Sequence, residues 1–206
     1  VVGKENNDVR WIGGQMGNGG SVAAVKMGKG VDTSMGLTTR EGVIMGSGSG
    51  DIDPAFVEYL CNKENLTVSE VLNSLNKKSG MLGMTGISSD YRDVSAAAEA
   101  GNQDAINCLE AYAYRLIKYI GSYIAAMGGV DVITFTAGLG ENAIPLRETI
   151  CKAFEFMGLE FDSEANNCRG VEKIITKEGS KITACVIPTN EEIAICEETV
   201  ELVKGK

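Results

Sequence analysis

Apolar and polar positions change rhythm several times along the chain, and each rhythm predicts an element. Residues 9–12 form a short apolar stretch that stops at glycines. Residues 21–27 carry β-favouring Val22 and Val25, and residues 31–34 follow a turn at Gly28 and Gly30. Three short segments separated by glycine turns predict an antiparallel meander. Asp53-Pro54 then opens a helix, with Asp53 as N-cap, Pro54 at the first helical position, and Phe56, Val57 and Leu60 at helical spacing. Thr67 and Glu70 form a capping-box pattern before a helix that buries Val71, Leu72 and Leu75. Residues 79–89, rich in Gly, Ser and Met, read as irregular. The longest helical pattern covers residues 102–127 and ends at Gly128-Gly129. Residues 130–136 read as a buried strand, after which Gly138 to Asn142 turn the chain into a helix over 143–157. A strand pair over 173–176 and 181–187 follows. The last helix, 189–203, carries a second capping-box pattern at Thr189 and Glu192. Strand-loop-helix units in the C-terminal half make this a mixed α/β chain.

Composition narrows what such a fold can do. The chain has 26 glycines in 206 residues, nearly double the usual share of about 7%. It has three prolines and 23% charged residues, so the glycine excess marks tight turns and close backbone approaches rather than a disordered linker. The absence of histidine removes His-based triads, His zinc ligands and imidazole bases. A net charge of −9 speaks against nucleic acid as a partner, while a small anion can still be held by backbone amides. No apolar run reaches membrane-spanning length and no basic-then-apolar leader opens the sequence, so no membrane partner is expected. Six scattered cysteines without a C-x-x-C read as reduced thiols in a cytoplasmic protein.

Five segments carry candidate chemistry. Gly13-Gly14-Gln15-Met16-Gly17-Asn18-Gly19-Gly20 lies between two predicted strands and reads either as an anion nest or as a flexible hairpin loop. It is not a P-loop, because G-x-x-x-x-G-K-[ST] is absent. Gly46-Ser47-Gly48-Ser49-Gly50-Asp51 resembles a linker, yet it runs straight into a helix start. Thr134-Phe135-Thr136-Ala137-Gly138-Leu139-Gly140-Glu141-Asn142 ends a buried strand in a G-x-G turn, which is a ligand position in α/β sheets or simply a turn. Ile187-Pro188-Thr189-Asn190-Glu191-Glu192 leaves Glu191 either as a magnesium ligand or as a helix-dipole partner. Ser88-Ser89-Asp90-Tyr91-Arg92-Asp93 offers an aromatic and a guanidinium to a flat ring, or caps a helix.

Seven blocks match one family in order and spacing. The sequence resembles the C-terminal half of acetate kinases across nearly its whole length. The blocks run from Met16-Gly17-Asn18-Gly19 with Ser21-Val22-Ala23-Ala24-Val25, through Val31-Asp32-Thr33-Ser34-Met35-Gly36-Leu37 and Ser49-Gly50-Asp51-Ile52-Asp53-Pro54, to Lys78-Ser79-Gly80. Asp90-Tyr91-Arg92-Asp93, Phe135-Thr136-Ala137-Gly138-Leu139-Gly140-Glu141-Asn142 and Pro188-Thr189-Asn190-Glu191-Glu192 complete them. The resemblance implies an actin/hexokinase/Hsp70-like (ribonuclease H-like) nucleotide-binding domain, a mixed sheet flanked by helices. It makes residues 1–206 one domain, with the N-terminal half absent. It also implies ATP or ADP with Mg2+, and phosphoryl transfer between ATP and acetate to give acetyl phosphate. By the same resemblance Asn18, Gly19, Gly138, Gly140 and Asn142 meet the nucleotide, with Asn18, Gly19 and Gly138 at its phosphates. Asp90, Tyr91 and Arg92 surround the adenosine, and Glu191 is tied to the metal. Either a homodimer or a complementing N-terminal half is the expected protein partner.

The departures fall on the reacting centre. The family's Thr-Cys-His before the glycine loop is Gly13-Gly14-Gln15 here, and its Thr-Arg-Ser-Gly-Asp is Ser47-Gly48-Ser49-Gly50-Asp51. The catalytic positions of the family's histidine and arginine are therefore Gln15 and Gly48. The family's Thr-Pro-Leu-Glu-Gly is Thr38-Thr39-Arg40-Glu41-Gly42, which makes Arg40 a candidate replacement for the lost charge. Those losses open a second expectation: a nucleotide-binding or scaffold fragment without catalysis.

Overall fold

The computed structural model describes residue 3 and residues 8–204, with Glu191 described by its backbone alone. Strands β1 (Arg10–Met16), β2 (Gly20–Lys26) and β3 (Lys29–Thr33) form the expected antiparallel meander. The two-residue turn between β2 and β3 has positive φ at Met27 and Gly28, which tight hairpin turns require. On the other side of β1 lie β4 (Val132–Thr136) and then β6 (Thr183–Val186), both parallel to it, with the short β5 (Lys173–Ile174) antiparallel at the edge. The order is β3-β2-β1-β4-β6-β5, a mixed sheet as expected.

Period-two alternation divides the sheet into two faces. Ile12, Val22, Ala24, Ile133, Phe135, Ala184 and Val186 point into the main core, while Val9, Val132 and Cys185 join Trp11 and Ile187 in a smaller cluster. The main core is closed by α5 (Gln103–Met127), which buries Cys108, Tyr112, Leu116, Ile120, Tyr123, Ile124 and Met127. Asn102 caps α5 by accepting the Ala105 amide at 3.0 Å, and Gly128 ends it in the left-handed region at φ 73°. All six thiols are free, and Cys108, Cys151 and Cys185 are buried among apolar side chains. Among the described residues no helix is long and apolar enough to cross a membrane.

Helix α1 (Ala55–Glu64) starts where Asp53 accepts the Ala55 amide, and α2 (Val68–Lys77) carries the complete Thr67–Glu70 capping box. Leu72 is only half-buried, so the inner face of α2 is Val71 and Leu75. Four local expectations are corrected. Residues 79–89 are not irregular but contain α3 (Gly80–Thr85) and lead into α4 (Tyr91–Glu99). The stretch 138–142 is helical, as α6 (Ala137–Asn142), entered through Ala137 at φ 62°. The helix expected over 143–157 stops early, as α7 (Ile144–Lys152) followed by a 3-10 turn at Glu155–Met157. The last helix, α8 (Glu191–Lys204), is capped by Asn190 Oδ1 on the Ile193 amide, because Glu141 holds Thr189 instead.

Candidate functional site

A cleft of about 760 Å³ opens where the β1–β2 loop, the 45–48 loop, α4 and α6 converge. Its floor is set by backbone. Gly17 donates to the Gly19 carbonyl and Gly46 to the Asn18 carbonyl, both at 2.8 Å, which fixes the loop carrying the exposed Asn18. Gly46 must be glycine: a Cβ there would overlap the Asn18 amide and stand 2.5 Å from the Ser89 carbonyl. The 45–48 loop is held by α3, whose N-terminal amides lack a side-chain cap. Met81 donates to Met45 and Leu82 to Gly46 instead. Gly80, at φ 60°, lies so close to Met45 and Gly48 backbone that a Cβ would collide.

Asp51 locks the far end of the same loop to α5. One carboxylate oxygen accepts the Gly42 amide at 2.7 Å; the other accepts Arg115 Nη1 at 2.9 Å and the Tyr119 hydroxyl at 2.6 Å. Burial, then the bond to Asp51, pushes the Tyr119 phenol well above its ordinary range.

The second wall is the start of α4. Asp90 accepts the Arg92 amide at 2.8 Å and pairs with the Arg92 guanidinium at 2.6 Å. The Arg92 side chain, then its amide, holds the Asp90 carboxyl down at about 2. Tyr91 packs obliquely on Tyr112, with ring centroids 6.2 Å apart, and burial raises its phenol. The segment therefore both caps α4 and lines the cleft. Tyr91, Ser95 and Glu99, at i, i+4 and i+8 of one helix, all line the cleft.

The third wall is α6. Gly138 has open space where a Cβ would be, and Asn142 Nδ2 donates back to the Gly138 carbonyl at 2.9 Å. The Thr136 hydroxyl is buried without a hydrogen-bond partner among the described residues.

Of the residues singled out from sequence, Asn18, Asp90, Tyr91, Arg92, Gly138 and Asn142 line one cleft. Gly19 and Gly140 do not. Gly140 is buried, and a Cβ there would come within 3.0 Å of the Phe135 backbone, so its small size serves packing against β4. Gln15 is exposed at the end of β1, and Gly48 is buried in the 45–48 loop, both outside the lining. Arg40 is exposed and likewise away from the cleft. The Glu191 side chain lies outside the described residues. Sequence reasoning missed Ser95, Glu99 and Arg169. Helical spacing from Tyr91 signals the first two; nothing local signals Arg169.

The sequence profile of the acetokinase family matches residues 1–197. The chain belongs to the acetokinase family. It is 54% identical over 203 residues to the acetate kinase of Lachnoclostridium phytofermentans, covering 98% of this chain and 51% of that protein. The acetate kinase of Agathobacter rectalis is 53% identical with the same coverage. Among solved structures, the Porphyromonas gingivalis acetate kinase superposes with a TM-score of 0.94 at 45% identity, over 98% of this chain and 51% of that one. A propionate kinase from Francisella tularensis gives 0.83 at 38% identity, over 89% and 47%. These acetokinase structures confirm the fold. The chain spans about half the length of the relatives it matches.

Proposed function

We propose that this acetokinase-family chain forms the nucleotide-holding side of an ATP:acetate phosphotransferase, in which ATP and acetate are converted reversibly to ADP and acetyl phosphate. The observation that carries this reading is the convergence of Asn18, Asp90-Tyr91-Arg92, Gly138 and Asn142, far apart in sequence, on one cleft of nucleotide size. Backbone amides and Asn18 face the phosphates at one end. Tyr91 and Arg92 offer an aromatic body and a guanidinium to the nucleoside. Such transfer depends on positioning and charge neutralisation rather than on covalent chemistry by the protein.

Among the described residues no group of three or more His, Cys, Asp or Glu side chains is arranged to hold a metal ion. In this reading Mg2+ enters with the phosphates, its usual mode, and Glu191 at the start of α8 is the protein group assigned to it.

A second reading, binding without turnover, is favoured by one observation: where the family has an arginine, Gly48 is buried and bears no side chain. Calorimetric titration with Mg-ADP and a coupled acetyl phosphate assay separate the readings. Binding with turnover supports the phosphotransferase, binding alone supports the second reading, and no binding sinks both. A homodimer or a complementing N-terminal half remains the proposed protein partner, in the cytoplasm.

A further inference from the structure

Helix α7 turns Leu146 and Ile150 into the core, and between them stands Arg147, wholly buried. Among the described residues its guanidinium meets no carboxylate. Nε donates to Asn166 Oδ1 at 2.8 Å and Nη1 to the Gly140 carbonyl at 3.0 Å. Nη2 donates to the carbonyls of Asn166 at 2.9 Å and Cys168 at 2.8 Å. A buried cation resting on neutral acceptors alone is costly, and it persists where its hydrogen bonds are complete and well aimed. Only a planar fork can reach α6 on one side and the carbonyls of both Asn166 and Cys168 on the other; a lysine cannot.

The clasp has a visible product. Residues 166–170 are fixed to α6 from both ends, by Arg147 at Cys168 and by the Gly170 amide on the Glu141 carbonyl at 3.3 Å. Between those anchors sits Arg169, which lines the cleft, is exposed, and makes no ion pair among the described residues. In the nucleotide reading Gly138 meets the phosphates, and the 166–170 segment joins α6 farther along, directly at the Glu141 carbonyl and through Arg147 at the Gly140 carbonyl. We propose that Arg147 is a positioning residue that holds Arg169 at the nucleoside end of the cleft, where its guanidinium plane covers the face of the base. The inference rests on the nucleotide reading above.

Titration of the chain and its variants with Mg-ADP and with AMP tests this. Arg169→Ala weakens both nucleotides by the same factor, about fivefold to tenfold, as expected for a contact to the part they share. No change, or a larger loss for Mg-ADP than for AMP, overturns the placement at the base. Arg147→Lys keeps the charge but loses the fork, and weakens Mg-ADP binding severalfold. In an Arg169→Ala background it adds less than twofold, because its effect runs through Arg169. Equal losses in both backgrounds overturn the positioning role.

Asn166→Ala, which removes one of the four acceptors of Arg147 together with the Asn166 Nδ2 bond to the Ile144 carbonyl at 3.1 Å, repeats the cycle should Arg147→Lys fail to fold. Amide exchange at Cys168 and Gly170 gives a ligand-free reading: faster exchange in Arg147→Lys or Asn166→Ala supports the clasp, and unchanged exchange in both overturns it. Failure of the unmodified chain to bind either nucleotide defeats the nucleotide reading itself, and with it the role given to Arg169.

Discussion

At Gly46 the backbone passes so close to Asn18 and Ser89 that side-chain size controls the loop carrying Asn18 directly. Gly46→Ala forces the Asn18 amide out of place, so Mg-ADP affinity should fall about tenfold or more, with an overpacking cost of about 1–3 kcal/mol in urea unfolding. An unchanged titration would mean that Asn18 does not touch the nucleotide. Asp90 yields a pH prediction at the same scale. Its carboxyl is held at about 2 in the fold, below the ordinary 3.8, so the folded chain loses that proton more readily than the unfolded one. A depressed carboxyl stabilises fully above its unfolded value, and the gain fades as pH falls through the folded value. The difference in urea midpoint between the native chain and Asp90→Asn should therefore stay constant from neutral pH to about 4 and close toward 2. A gap that already closes near pH 5 would contradict the Arg92 contact. Residue identity makes both sites legible, since Gly-Asn-Gly and Asp-Tyr-Arg-Asp carry their chemistry locally. Arg147 is not legible in the same way, because four acceptors from two separate segments, α6 and residues 166–168, give its burial meaning.

Elements with their own start and stop signals are legible in the sequence. The Thr67–Glu70 box, the Asn102 cap and the Gly128 stop each act within a few residues, and α2 and α5 form where they predict. Elements whose ends are satisfied from afar are not legible. Helix α3 owes its N-terminus to the carbonyls of Met45 and Gly46, more than thirty residues upstream, so its glycine-rich sequence reads as a loop. Thr189 fails as a cap because Glu141, 48 residues away, takes both its amide and its hydroxyl. Tertiary bonding overrides local preference in both cases. The energetic weight rests on α5, whose buried face closes the main core and whose Arg115 and Tyr119 hold Asp51. Ile120, fully buried there, should cost about 2–5 kcal/mol on truncation to Ala, read from the denaturant midpoint. A loss below about 1 kcal/mol would mean the neighbouring helices collapse into the space.

The chain encloses its cleft between the β1–β2 loop, α4 and α6, and spans about half the length of its acetokinase relatives. The departures at Gln15 and Gly48 can be tested separately from chain length, because the backbone at Gly48 accepts a Cβ. Gly48 has no positive φ, and a Cβ there would meet only the Met45 side chain, at 3.5–3.7 Å, ordinary contact distances. Gly48→Arg should therefore fold with a melting temperature close to that of the native chain. An arginine aimed at the transferring phosphoryl group contributes on the order of 10²–10³ or more in rate. If the chain is the phosphotransferase half proposed above, adding the N-terminal half of a relative supplies the part those relatives have besides it, and Gly48→Arg then raises acetyl phosphate formation by at least about a hundredfold over the same mixture with Gly48. Gln15→His tests the other departure in the same assay. Turnover that stays equal with and without the arginine, while Mg-ADP still binds, would place the phosphoryl group elsewhere than the 45–48 loop. Turnover already high with Gly48 would mean that another group has taken over the charge.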